Sequence, residues 1–302
     1  MKRNYIILLA ALLTVACAGN GDIMSPTPQE GEILFSGSTV GPKVRTSYED
    51  TETALRVNWV KNDLIGLFAE SGGKNLGANF AYKAAVSGAT SDFTAASRLN
   101  VIRWADETSD HDFYAYYPYT ANPTNDLIEF QVPEAAVQSE QKVNDFLFAS
   151  GTASYANPSL TLNFTHQMVR VIIKVYTSPE YGFTTNDFAG SLLTFIGYFD
   201  SGTFNIKTGK VECSDESVTT YYFGDPQSDH MEYTLYVPAQ VMPDMTLQLS
   251  NGENFVFLTN DTWKAGHSYS YSLKPVRNTL EVISATISPW TVESEKTING
   301  YE

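Results

Sequence analysis

Two cysteines, four histidines, 34 carboxylates and 18 tyrosines are the side chains of this 302-residue sequence best suited to chemistry, and their spacing narrows what each can do. His111, His166, His230 and His267 are scattered, and no His-Glu-x-x-His stretch brings two imidazoles to one helix face for zinc. His166 ends an alternating stretch and His267 begins another, so each reads as an imidazole satisfied within the fold. No Gly-x-Ser-x-Gly elbow presents a serine nucleophile, and no glycine-rich loop presents a phosphate cradle. Cys213 lies in Val211-Glu212-Cys213-Ser214-Asp215-Glu216, where acidic neighbours raise a thiol's pKa rather than activate it. The acidic stretch Asp106–Asp112 has oxygens for Ca2+ but not the ligand order and glycine of a calcium loop. Glycoside cleavage needs two carboxylates at a fixed separation, which order along a chain does not report. The sequence therefore assigns no catalytic residue, no metal ligand and no cofactor.

Cys17 is different. Lys2 and Arg3 precede a 12-residue apolar-to-small run, Tyr5 to Ala16, that stops at this cysteine. A basic start, a short apolar core and small residues before a cut site make a secretory signal. The run is well short of the roughly 20 residues an apolar helix needs to cross a bilayer, so removal is expected. Leu13-Thr14-Val15-Ala16-Cys17 resembles the lipobox of bacterial lipoproteins, in which the cysteine becomes the lipidated first residue. Thr14 departs from the leucine usual at its position. Such a chain would be exported and held to a membrane by lipid. If Cys17 is acylated, Cys213 has no partner, and the exported fold must hold without a disulfide.

Charge bounds the partners. The sequence carries 19 Lys+Arg against 34 Asp+Glu, a net charge of −15, and loss of Lys2 and Arg3 with the leader makes it about −17. That is the wrong sign for nucleic acid, whose phosphates call for clustered Lys and Arg. It is equally wrong for electrostatic docking on anionic lipid, so a covalent lipid would supply the anchorage.

The elements that would position any site are strands. About 285 residues follow the leader, enough for one large domain or two ordinary ones. Residues 17–30 are small and proline-bearing and read as a lipidated tether behind a signal peptide at 1–16. Beyond them, period-2 alternation dominates: Leu160–Phe164, Tyr233–Val237, Met245–Leu249 and His267–Leu273. Val169–Tyr176 and Leu64–Phe68 are more continuously apolar, as strands covered on both faces are. Asn251-Gly252 between two alternating runs signals a hairpin. Helix is expected only as a turn or two at Glu134–Gln141 and Thr185–Ala189. The fold class is all-β, with a boundary placed near residue 158 between strand-rich parts at 31–157 and 158–302. Strand spacing favours sandwiches over one large barrel.

Several stretches in order carry a family resemblance: Val44-Arg45-Thr46-Ser47, Val57–Phe68, Asp112–Tyr119, Asp145–Ala149, Leu160–His166 running into Met168–Ile172, Trp263–Tyr271 and Ile287–Trp290. This order resembles that of fimbrillin-like lipoproteins, the pilus and surface-adhesion proteins of Bacteroidetes-type bacteria. The resemblance covers most of residues 33–290 and is a signature of fold, since core packing and turns account for most of the residues that carry it. It implies two tandem transthyretin-like Greek-key β-sandwiches and a cell-surface, outer-membrane location. Its implied partners are other pilus subunits or surface receptors, with assembly by β-strand donation. Shaft-forming members are cut after an arginine near the N-terminus, and Arg45, followed by Thr46, stands at a matching place; Arg45 also reads simply as a solvent-facing residue before a strand.

After Trp290 the apolar positions Val292, Ile298 and Tyr301 are sparse and irregular, a poor pattern for a donor strand. That favours a tip or anchor role over a shaft role. A second reading from another class is a surface glycan-binding lipoprotein, stacking sugars on Tyr116, Tyr119, Tyr221 and Tyr222.

Overall fold

Alternation becomes burial strand by strand in the structure, a computed structural model that describes residues 33–39, 49–51, 54–56, 58–258, 261–290 and 297–298. Leu160–His166 alternates strictly between buried and exposed positions, and its leucines and Phe164 face a core. Val169–Tyr176 starts with three buried residues in a row, because this strand is covered on both sides where it begins.

Seven strands close into a barrel in the order Phe35–Thr39, Leu160–His166, Leu147–Ser154, Asp110–Tyr117, Leu64–Ser71, Lys74–Ala84 and Thr90–Ala95. Trp59, Leu67, Phe93, Phe113, Leu162 and Phe164 fill its interior. The all-β expectation holds, while the closure of this first sheet is something alternation does not report. It depends on Phe35–Thr39, which hydrogen-bonds on both sides.

A second core lies between two further sheets. One has six strands, led by His230–Val237, Val169–Tyr176, His267–Val276 and Thr279–Pro289. The other has four, in the order Val218–Phe223, Leu192–Tyr198, Asp244–Gln248 and Asn254–Phe257. Val171, Ile173 and Tyr233 from the first meet Phe195, Leu247 and Phe255 from the second. The Asn251-Gly252 turn joins the last two strands of the smaller sheet, with Gly252 at φ +89°.

The two cores interleave along the chain. Leu160–His166 is hydrogen-bonded within the barrel, so the passage to the second core comes at Gln167 and Met168. Leu127–Gln131 leaves the first half and pairs with Ser201–Asn205, which in turn pairs with Val211–Cys213. Phe68, Tyr116, Phe146, Phe204, Tyr236 and Trp290 form a third apolar cluster, drawn from the barrel, the six-stranded sheet and the small sheet of Leu127–Gln131, Ser201–Asn205 and Val211–Cys213, with Phe146 and Trp290 beside strand ends. Helix among the described residues is limited to Gln138–Gln141 and Thr185–Phe188, at the two expected places, and to three 3-10 turns, of which Lys142–Asn144 and Pro179–Tyr181 lie near them and Arg98–Asn100 does not. A capping box between Thr184 and Asp187 starts the second helix.

Candidate functional site

The site is a slot in the barrel wall filled by the first strand. Phe35–Thr39 runs parallel to Leu160–His166, with Phe35 opposite Leu160 and Thr39 opposite Phe164. On its other side it runs antiparallel to Thr90–Ala95, with Phe35 opposite Phe93 and Ser38 opposite Thr90. No turn links it directly to either neighbour. Main-chain pairing supplies the adhesion and alternating side chains supply the register.

Inward, Ile33 and Phe35 are each 1% exposed. The Phe35 ring meets Tyr82 edge-on at 5.4 Å and Phe113 at 5.1 Å. Burial of two such side chains is worth about 1.5–3 kcal/mol apiece. At Gly37 the rings of Phe93 and Phe164 press against the backbone, and a Cβ there would run into the Phe93 ring. Outward, Leu34 is exposed, while the Ser38 hydroxyl donates to Asn163 Oδ1 at 2.7 Å and Ser36 meets Thr161 at 3.1 Å. The slot thus accepts a strand with two large apolar groups at alternate positions, then glycine.

Arg45 and Thr46 follow this strand in sequence, six and seven residues past Thr39. Like Cys17, the signal peptide and the tether, they lie outside the described residues. The four tyrosines assigned to sugar stacking separate. Tyr116 is fully buried, donating its hydroxyl to Asn79 Oδ1 at 2.7 Å, and Tyr222 is fully buried in the second core. Neither has a ring face for a sugar: the sheet of Leu127–Gln131 and its partners covers the outer face of Asp110–Tyr117, and Tyr222 points inward from Val218–Phe223. Tyr119 is half-buried against the third cluster, and Tyr221 alone of the four stands in solvent.

The histidines are held structurally where they are buried. His111 Nε2 accepts the Ala105 N–H at 2.9 Å, and its Nδ1 lies 3.0 Å from the Ser109 carbonyl. Cys213 is half-buried, and burial pushes its thiol pKa up. The cause is desolvation, not the acidic neighbours the sequence suggests. Asp106 spends its carboxylate on its own loop: Oδ1 accepts the Thr108 and Ser109 N–H groups, which hold its pKa down at about 2.

A family model described as fimbrillin-like matches residues 51–290, spanning barrel and second core alike. The chain belongs to the fimbrillin-like family. It is 26% identical over 309 residues to a Bacteroides uniformis protein named as a fimbrium subunit, Fim1C, covering 96% of each chain. It is 29% identical over 202 residues to a Bacteroides ovatus protein named as a fimbrium tip subunit; that match covers 61% of this chain and 36% of the relative. A crystal structure from Bacteroides uniformis, described as a cell adhesion protein, shares the fold at a TM-score of 0.68 and 22% identity, covering 88% of this chain and 100% of the other.

Three of the fimbrillin-like stretches noted in the sequence meet at one point. His166 Nδ1 lies 2.5 Å from Asp145 Oδ1, both side chains nearly sealed from water. Trp290 stacks flat on the imidazole, with centroids 3.9 Å apart and planes within 3°. Nothing in the sequence pairs the three residues; their common signal is only that each ends or begins one of the stretches that carry the family resemblance. The cluster pins the end of the slot-lining strand Leu160–His166 to the end of Thr279–Pro289 in the six-stranded sheet.

Proposed function

We propose that this chain is a subunit of a surface fimbrium, lipid-anchored at Cys17 and assembled by β-strand exchange through the barrel slot. The observation that carries the reading is Phe35–Thr39, a strand upstream of Arg45 that completes the barrel without a turn to either neighbour. A cut between Arg45 and Thr46 would sever this strand from the rest of the chain. Its departure would leave two open strand edges and an apolar groove for an extended segment of a neighbouring subunit. Both full-length and partial relatives named as fimbrium subunits support this role, and the partial match to a tip subunit agrees with the weak C-terminal donor pattern. We place the protein at the tip or the anchor rather than in the shaft, on the outer membrane, and assign it no enzymatic step. The described part would act as two lobes, close to the 31–157 and 158–302 division.

The test is proteolysis of the mature protein by an Arg-specific protease, followed by N-terminal sequencing and intact mass. The expected product starts at Thr46 and takes up a synthetic peptide of residues 31–40. Cuts scattered elsewhere, or a Thr46 product that ignores the peptide, would overturn strand exchange. Mass spectrometry of the native N-terminus reads acylation at Cys17 independently.

A further inference from the structure

The four-stranded sheet of the second core carries a cleft that strand exchange does not use. Val218–Phe223 is an edge strand, and its alternation sends Tyr222 into the core and Tyr221 and Phe223 outward. Those two rings are 55% and 56% exposed. Sitting two residues apart on one strand face, they are separated by about 6–7 Å along it. They line a cleft of about 500 Å3, completed by Gln131, Glu134, Asp200 and Thr219 among others. This is within the roughly 300–1,000 Å3 of small-ligand sites.

The polar groups have a pattern. Asp200 is 6% exposed. Thr220 Oγ1 donates to its Oδ2 at 2.9 Å and Gln131 Nε2 to the same oxygen at 3.5 Å, so Oδ1 takes part in neither bond. Beneath, the buried Tyr222 hydroxyl lies near that of Tyr198 but completes no well-formed hydrogen bond, and both Asp200 and Glu134 act on it. Of these buried groups Asp200 lines the cleft, and its Oδ1 is the acceptor left for a ligand there. Among the described residues, no Lys, Arg or His lines the cleft. An anionic ligand would meet two carboxylates with nothing to offset them. Asp200 already receives neutral donors, which suits hydroxyls and does not require a cation.

Flat rings beside neutral-donor-seeking acceptors match a pyranose, which has an apolar C–H face and a rim of hydroxyls. We propose that this cleft binds a neutral saccharide, stacked on Tyr221 and Phe223, with its hydroxyls donating to Asp200 and Glu134. The site would give a surface fimbrillin-like protein a ligand of its own, whatever the outcome of strand exchange in the barrel.

The experiment is a panel of neutral gluco-, manno-, galacto- and xylo-oligosaccharides screened on the intact mature protein, with titration calorimetry on any hit. Tyr221→Ala/Phe223→Ala should melt like the parent and bind at least tenfold more weakly, and Glu134→Gln should weaken binding several-fold. Val256→Ala, on the same sheet away from the cleft, should bind normally. Three results would overturn the proposal: no neutral saccharide bound at millimolar concentration, binding indifferent to loss of both rings, or capture of only a Lys-rich control peptide.

Discussion

Phe35→Ala tests whether the first strand is a structural member of the barrel or a loosely applied edge. The ring is 1% exposed and flanked edge-on by Tyr82 and Phe113 at 5.4 and 5.1 Å. Buried Phe→Ala changes cost about 3–5 kcal/mol, with the spread set by how far the surroundings collapse. Here the wall is hydrogen-bonded all the way round, so the hole stays open and the cost is about 4 kcal/mol. Domains of this kind carry about 5–15 kcal/mol in total, so the change is readily measured. Leu34, the residue just before the strand, is 55% exposed, and Leu34→Ala should cost about 0.5 kcal/mol or less. Urea unfolding followed by tryptophan fluorescence is the assay, because Trp59 packs in the same core against Phe93 and Phe164. A Phe35→Ala loss below about 1 kcal/mol, or equal losses at the two positions, would refute the seating of this strand.

At Gly37, valine has to displace the Phe93 and Phe164 rings. Overpacking of this kind costs about 1–3 kcal/mol, and a 31–40 peptide carrying Gly37→Val should fail to refill the cleaved barrel in a fluorescence binding assay. Asp145→Ala leaves the His166 imidazole buried without the carboxylate 2.5 Å away. Leaving a buried hydrogen-bonding group without its partner costs about 1–3 kcal/mol, read as a lower thermal midpoint, and a midpoint unchanged within error would contradict the role given to this junction. Burial pushes the Tyr116 and Tyr233 phenols up to about 12 from 10.0. The folded state then holds protons that the unfolded state has lost, so stability is full below pH 10 and falls between pH 10 and 12. Denaturation series across that window should show the decline, shallower in Tyr116→Phe.

Much of the second core was legible because its strands alternate cleanly: His267–Val276 puts Tyr269, Tyr271 and Leu273 inside, as the spacing of its serines says. The barrel strand Leu160–His166 is as clear, but its membership is not. Its sheet partners are Phe35–Thr39 and Leu147–Ser154, and the first of these reads Phe-Ser-Gly-Ser-Thr, with one large apolar group. Pairing between residues 125 apart leaves no local trace. Tyr116 was misplaced for a related reason. Alternation gives one wet face per strand only when a single sheet face is covered, and Asp110–Tyr117 is covered on both by a sheet assembled from distant segments. Tyr222 follows plain alternation, facing the second core while Tyr221 faces out. Asp145, His166 and Trp290 illustrate the same limit, since their stacking and hydrogen bonding arise only after distant segments meet.

The parallel pairing of Phe35–Thr39 also bears on the order in which the molecule is made. The strand emerges early in synthesis, yet its partner Leu160–His166 follows more than a hundred residues later. Contacts between such distant positions are favourable only after the entropy of the intervening loop has been lost, so they form late. Until then the nascent barrel is an unsealed ring, with its aromatic interior facing water. Whatever chain segment is nearest at that moment competes for the vacancy. Phe35–Thr39 holds the advantage because it is covalently part of the same molecule, which gives it a higher effective concentration at the gap than any separate chain.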